Sequence, residues 1–203
     1  MIVRELLIWS IEETAGFDSA WVWVDGAYMG AEGRSCGLAP VRYWLSYTFE
    51  TSEQHVTRRM AIEARWDGGS ATLDLRREGG AWTVDGTSRP DLDSALDCDL
   101  AACPLTNTMP ILRHRLHREP GEQAFVMAFI EVPSLRVVAS AQRYTHLRRS
   151  PDGGGIVRYN SGSFQSDLTI DRHGFVIDYP HLGRRLEASP LRDAKHVLHG
   201  API

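Results

Sequence analysis

Residues 41 to 49 alternate with a period of two. Val41, Tyr43, Leu45, Tyr47 and Phe49 fall on one side and Arg42, Ser46 and Thr48 on the other, with Trp44 alone out of pattern. That period puts one face of an extended segment against a core and the other in water, the mark of a half-buried antiparallel strand. The next run repeats it, with Met60, Ile62, Ala64 and Trp66 opposed to Arg59, Glu63 and Arg65, and stops at Asp67-Gly68-Gly69. Leu73 and Leu75 follow against Thr72, Asp74 and Arg76, Gly79-Gly80 turns the chain, and Trp82 and Val84 run into Asp85-Gly86. Glycine supplies the positive φ that tight hairpins need, so this region reads as a meander.

The pattern extends in both directions. RELLIWSI and AWVWVD lie upstream; FVMAFIEV, AQRYTHL, VRYN, SFQSDLTID and GFVIDY lie downstream. About ten to twelve strands at this spacing predict a mostly β fold, a curved antiparallel sheet or a split, half-open barrel. Helix is scarce. Ser189 as N-cap, Pro190, the apolar residues Leu191, Ala194, Val197 and Leu198, and Gly200 predict one short amphipathic helix at the end of the chain. Leu92, Leu96 and Leu100 suggest a second helical turn within residues 91 to 100. One or two short helices are therefore expected.

Composition narrows the function classes. The 203 residues fit one domain, 43% of them are hydrophobic, and no repeat or linker divides them. A net charge of -4 and a pI near 6.1 argue against nucleic acid as a partner. Lys195 is the sole lysine, and the arginines are scattered rather than gathered into an anion-gripping motif. There is no apolar run long enough for a transmembrane helix, and the sequence MIVRELLIWSIEE lacks the layout of a signal peptide. Cys36, Cys98 and Cys103 are an odd number without CxxC spacing, which suits reduced thiols. The expectation is a cytoplasmic protein, monomeric or homodimeric.

No catalytic motif presents itself. There is no GxSxG elbow, no HExxH and no phosphate-binding glycine loop, and DGGG at 152 to 155 reads as a hairpin turn. His114 and His117, like His196 and His199, lack acidic or thiol partners at metal-ligand spacing, so neither a metal nor a cofactor is expected. Asp97 and Asp99 are two apart and offer the one paired-carboxylate arrangement, read either as acid–base groups of a small hydrolase or isomerase or as loop and ion-pair residues. The aromatic residues are more suggestive. Trp21 and Trp23 share a face, and Tyr43, Trp44, Tyr47, Tyr144, Tyr159 and Tyr179 are on expected strands, where rings with polar tips suit an amphipathic ligand as well as a core. A protein-interaction module without a small ligand is a further alternative.

The segment LDCDLAACPLTNTMPILR, residues 96 to 113, has neither helical nor strand periodicity for long. With Tyr43 to Tyr47, Thr57-Arg58, the hairpin Gly80 to Gly86, Asp97 to Leu100, Thr106 to Ile111, Gln142 with Tyr144, and Asp178-Tyr179-Pro180, it resembles the glycolipid-binding family of bacterial proteins. The resemblance implies a split barrel similar to the Lol lipoprotein carriers, with a hydrophobic cavity for a lipid or glycolipid bound non-covalently. On that reading Trp21, Trp23, Tyr47, Arg58, Asn107, Tyr144 and Tyr179 are the candidate ligand-binding residues, Arg58 and Asn107 as polar contacts. The sequence departs from the family pattern at His55, two residues before Thr57-Arg58, and at His181 and Gly183 after Asp178-Tyr179-Pro180.

Overall fold

A computed structural model describes residues 2 to 187 and contains one large, open, curved sheet. The first half is a meander of β1 (Ile2–Ile11), β2 (Gly16–Asp25), β3 (Tyr28–Gly37), β4 (Tyr43–Thr51), β5 (Thr57–Trp66), β6 (Gly69–Glu78), β7 (Ala81–Val84) and β8 (Thr87–Ser88). After β9 (Asp97–Leu100), the second half runs through β10 (Glu122–Ile130), β11 (Val137–Arg149), β12 (Gly155–Ser161), β13 (Phe164–Ile170), β14 (Val176–Tyr179) and β15 (Gly183–Arg185). The two halves join where β15 pairs with β1, giving the order β8 to β1, then β15 down to β9. Every pairing is antiparallel except β9 with β10. The curved, mostly β sheet expected from the sequence is the fold observed.

The alternation places the core. Leu45, Tyr47 and Phe49 of β4, Met60 and Ile62 of β5, and Leu73 and Leu75 of β6 all point to the inner face and are buried. What they pack against is the segment between the two halves. Leu92, Ala95, Cys98, Leu100, Leu105 and Met109 complete one cluster with Trp9, Phe49, Met60 and Trp82. Ile111 and Leu116 complete a second with Tyr144, Val157, Leu168 and Val176. Residues 90 to 117 thus fill the inside of the curve. Their anchors are specific: Trp82 Nε1 donates to the Ala95 carbonyl at 2.9 Å, and the amide of Cys98 donates to Thr57 Oγ1 at 3.0 Å. The second bond, with Thr57 N–H to the Leu96 carbonyl at 3.1 Å, holds the β9 edge against the start of β5.

One expectation changes. The helical turn inferred within 91 to 100 is instead a single 3-10 turn, Pro90–Leu92, followed by β9. The four-residue leucine spacing loses to the parallel ladder that β10 offers the backbone of Asp97 to Leu100. The short helix lies one step later, as α1 (Thr108–Arg113). The helix expected over 189 to 200 lies outside the described residues.

Strand β3, with the sequence YMGAEGRSCG, gives little strand signal because its glycines stand where side chains are expected. The structure explains them: Trp23 lies across Gly30 on the outer face and Tyr47 across Gly33 on the inner face, each from the directly paired position on the next strand. A Cβ at either glycine would overlap the ring. Gly33→Ala is therefore expected to cost about 1–3 kcal/mol. In urea denaturation most of that loss should vanish in a Tyr47→Ala background; an equal loss in both backgrounds would contradict the stacking.

Candidate functional site

The seven residues proposed from the sequence occupy three places. Asn107, Tyr144 and Tyr179 are inside the second half of the sheet. Tyr144 Oη is 2.9 Å from Asn107 Oδ1, the ring of Tyr144 packs on Tyr159 at 5.2 Å between centroids, and Tyr159 packs on Tyr179 at 5.9 Å. Tyr47 lies inside the first half, its hydroxyl 3.4 Å from Asp18 Oδ2 and 3.5 Å from Cys103 Sγ. Trp21, Trp23 and Arg58 are on the surface, Arg58 facing Glu50 at 3.5 Å. They do not converge on one cavity. Asp97 and Asp99 are both buried and engaged: Asp97 sits in the fork of Arg113, and Asp99 accepts from Gln142 Nε2 at 2.6 Å and Thr106 Oγ1 at 2.8 Å.

These interior polar groups tie residues 90 to 117 to the sheet. Burial pushes the Asp97 and Asp99 carboxyls upward, opposed by Arg113 at Asp97 and by the Gln142 and Thr106 hydrogen bonds at Asp99. Asp18 has no cationic partner among the described residues. It faces Tyr47 and Cys103, with Tyr43 nearby; burial raises it to about 7, and among the described residues its Oδ1 has no hydrogen-bond partner. His55, where the family pattern differs, is buried beside Arg113 and is pushed down to about 4, first by burial and then by that charge. Among the described residues no group of His, Cys, Asp and Glu is arranged to hold a metal ion.

The open sites are on the other face. Register carries the side chains of the outer face across β1 to β6 in rows. One row runs Leu6, Trp21, Glu32, Thr48, Ala61, Asp74; the next runs Ile8, Ser19, Arg34, Ser46, Glu63, Thr72. Ser19, Ser46, Thr48, Ala61 and Thr72 are small, while Trp21, Glu32, Arg34, Arg59, Glu63, Asp74 and Asp85 stand around them. The result is a trough of about 730 Å³. In a third row Phe17, Cys36, Trp44 and Arg65 are paired side by side, and beyond them lies an apolar pocket of about 520 Å³. Phe17, Cys36, Leu38, Tyr43, Trp44 and Trp66 line it, with Arg42, Arg65 and Asp67 at its margin. Leu38, Phe17 and Trp44 keep 67%, 52% and 42% of their surface exposed.

Of the sequence candidates, Trp21 and Tyr47 line the trough, Tyr47 with its side chain on the inner face of β4, and Trp23 lies beside it over Gly30. Sequence reasoning passed over Glu32, Arg34, Ser46 and Thr48, and kept Trp44 among the strand aromatics without giving it a site. Its signal was the single break in the alternation of residues 41 to 49, a tryptophan on the polar face of β4.

An open β-sheet wrapped around its own chain, with a polar trough and an apolar pocket on its outer face, defines the class of protein this is. Family comparison gives the next step: the family described as "Putative glycolipid-binding" matches residues 6–185, and the chain belongs to that family. Its fold is similar to the crystal structure of a DUF1089-family protein from Pseudomonas aeruginosa, with 28% identity, a TM-score of 0.68, and coverage of 83% of this chain and 92% of that one. No functionally curated protein matches. Among the described residues no helix is long and apolar enough to cross a membrane.

The buried Asp18 makes stability depend on pH in a definite direction. Its carboxyl holds a proton in the folded protein up to about pH 7, whereas in the unfolded chain it releases it near 3.8. Between those values the folded state binds more protons, so the group's contribution to stability falls as pH rises and levels off above about 7. Asp18→Asn, which stays neutral, should therefore gain about 2 kcal/mol relative to wild type between pH 5 and pH 7.5 in urea titrations. A difference independent of pH would show that Asp18 is ionised throughout.

Proposed function

We propose that the protein binds a lipid or glycolipid non-covalently and seats its apolar chain in the pocket at the Phe17 and Trp44 end of the outer face. The observation that carries this reading is the pocket itself. Three large apolar side chains, Phe17, Leu38 and Trp44, are left in water on one concave patch at this end of the sheet. Covering a side chain of this size is worth about 1.5–3 kcal/mol when complete, so half-covering three of them supplies about 2–4.5 kcal/mol, which by itself supports millimolar binding; the rest comes from the apolar surface of the ligand and from its head group.

The filled interior supports the same placement. In a carrier of the Lol type the ligand would lie inside the curve of the sheet, but here residues 90 to 117 already bury the inner face. Family membership supports the ligand class. The hydrolase or isomerase reading finds less support, because the oxygens of Asp97 and Asp99 are taken up by Arg113, Gln142 and Thr106 in that packed interior.

Binding of a brominated monoacylglycerol, followed by quenching of tryptophan fluorescence, tests the reading. Leu38→Asp should weaken binding about tenfold or more without changing the melting temperature, since Leu38 is largely exposed. Phe164→Asp, at an exposed apolar residue on β13, should leave binding unchanged. Equal binding by wild type and Leu38→Asp would count against the pocket.

A further inference from the structure

The trough beside the apolar pocket has its own chemistry. We infer that it is the head-group subsite, and that it takes a neutral, hydroxyl-rich saccharide laid across the strands with a sugar ring against Trp21. This rests on the reading that the outer face binds a glycolipid, and it names the part of the ligand that the apolar pocket does not explain.

The first observation is shape. Rows that cross six neighbouring strands cover roughly 24 Å at the usual strand separation, and 730 Å³ lies within the ~300–1,000 Å³ of small-molecule sites. That is room for a short oligosaccharide rather than a single sugar. The hollow exists because small side chains occupy its centre: Ser46 and Thr48 on β4, Ala61 on β5 and Thr72 on β6. Larger residues at those four positions would give a flat, filled surface like that of an ordinary solvent-facing sheet.

The second observation is which polar groups are free. Among the charged residues of the trough, Arg59 is committed to Asp74 at 2.7 Å, Glu63 faces Arg65 at 3.1 Å, and Asp85 accepts the Asp74 amide at 2.8 Å. Glu32 and Arg34 make no ion pair among the described residues, and the hydroxyls of Ser46, Thr48 and Thr72 make no protein hydrogen bond there. The free set is one carboxylate that only accepts, one guanidinium that only donates, and three hydroxyls that do both. Sugar hydroxyls, each a donor and an acceptor, match such a mixture. Trp21, 60% exposed and flanked by Leu6 on the paired position of β1, adds a flat apolar platform for the C–H face of a pyranose ring.

The third observation is sign. Four carboxylates, Glu32, Glu63, Asp74 and Asp85, line the trough; Arg65 pairs with Glu63 and Arg59 and Arg76 share Asp74, which leaves Glu32 and Asp85 against Arg34 alone, an excess of negative charge among the described residues. A phosphate, sulfate or uronate head group would enter against that excess. A quaternary ammonium would need a cage of rings, and Trp21 is the lone aromatic side chain the trough presents on the outer face. A neutral saccharide avoids both difficulties. Trp44 of the apolar pocket and Ser46 of the trough are two residues apart on one face of β4, so a sugar in the trough and an acyl chain in the pocket belong to one continuous molecule.

Titration with water-soluble oligosaccharides, which carry no acyl chain, separates this inference from the lipid reading. The probes are neutral gluco-, manno-, galacto- and N-acetylglucosamine trisaccharides, with trigalacturonate as the anionic comparison, observed by calorimetry and by the indole NMR signal of Trp21. At least one neutral trisaccharide should bind and shift that signal, and trigalacturonate should bind about tenfold more weakly or not at all. Trp21→Ala and Thr48→Trp, both at exposed positions that leave the core alone, should each weaken the neutral sugar about tenfold, while Leu38→Asp leaves it unchanged. If no neutral sugar binds while the brominated lipid still does, the saccharide subsite is overturned and the lipid reading stands. Preference for trigalacturonate, or undiminished sugar binding by Thr48→Trp, also overturns it.

Discussion

The fork between Arg113 and Asp97 is the contact on which the rest of the molecule depends. Both side chains are buried, and the same guanidinium also donates to the carbonyls of Gln54 and His55, at 3.0 Å each. It therefore fastens α1 and β9 to the turn that precedes β5. Losing one partner of such a pair leaves a charge stranded in the interior, typically at a cost of 3–5 kcal/mol. Because residues 90 to 117 complete both apolar clusters, a loosened fork would leave neither half of the sheet with a closed core.

That arrangement decides where a ligand can bind. A curved sheet of this size offers two faces. Here the inner one is spent on the chain's own segment, whose Asp97 is held by Arg113, Asp99 by Gln142 and Thr106, Thr106 also by the Cys103 carbonyl, and Asn107 by the Pro104 carbonyl and Tyr144. Among the described residues the outer face of β1 to β6 is left free, and its register sorts residues by character. One end gathers Phe17, Leu38 and Trp44; the middle gathers hydroxyls and unpaired charges. An amphipathic ligand meets the same division on the protein as it carries in itself.

Much of this was legible in the sequence and some was not. The alternation in β4, β5 and β6 gave the inner face of the first half residue by residue, because a period of two admits only one assignment once a core is required. Trp21 and Trp23 were legible as a pair but not as outward-facing, since Ala20, Val22 and Val24, which alternate with them, are equally apolar and a single strand does not say which set is buried. Strand β3 was hidden by glycines whose purpose lies in the neighbouring strands. Residues 96 to 113 stood out as unusual, yet their role is tertiary: the unusual residues bind one another and the sheet, and no local periodicity encodes that. The trough was out of reach because it is made of register among six strands and of small side chains that, singly, carry no signal.

The claim that the ligand lies on the outer face is tested most directly by paramagnetic relaxation, with a nitroxide on the acyl chain of a bound lipid and the tryptophan indoles as reporters. Trp44, Trp21 and Trp23 are on the outer face, while Trp9 and Trp82 are buried within the core. The account predicts strong broadening of Trp44, weaker broadening of Trp21 and Trp23, and unaltered signals from Trp9 and Trp82. Broadening of Trp9 and Trp82 with Trp44 spared would place the lipid inside the curve of the sheet and contradict it.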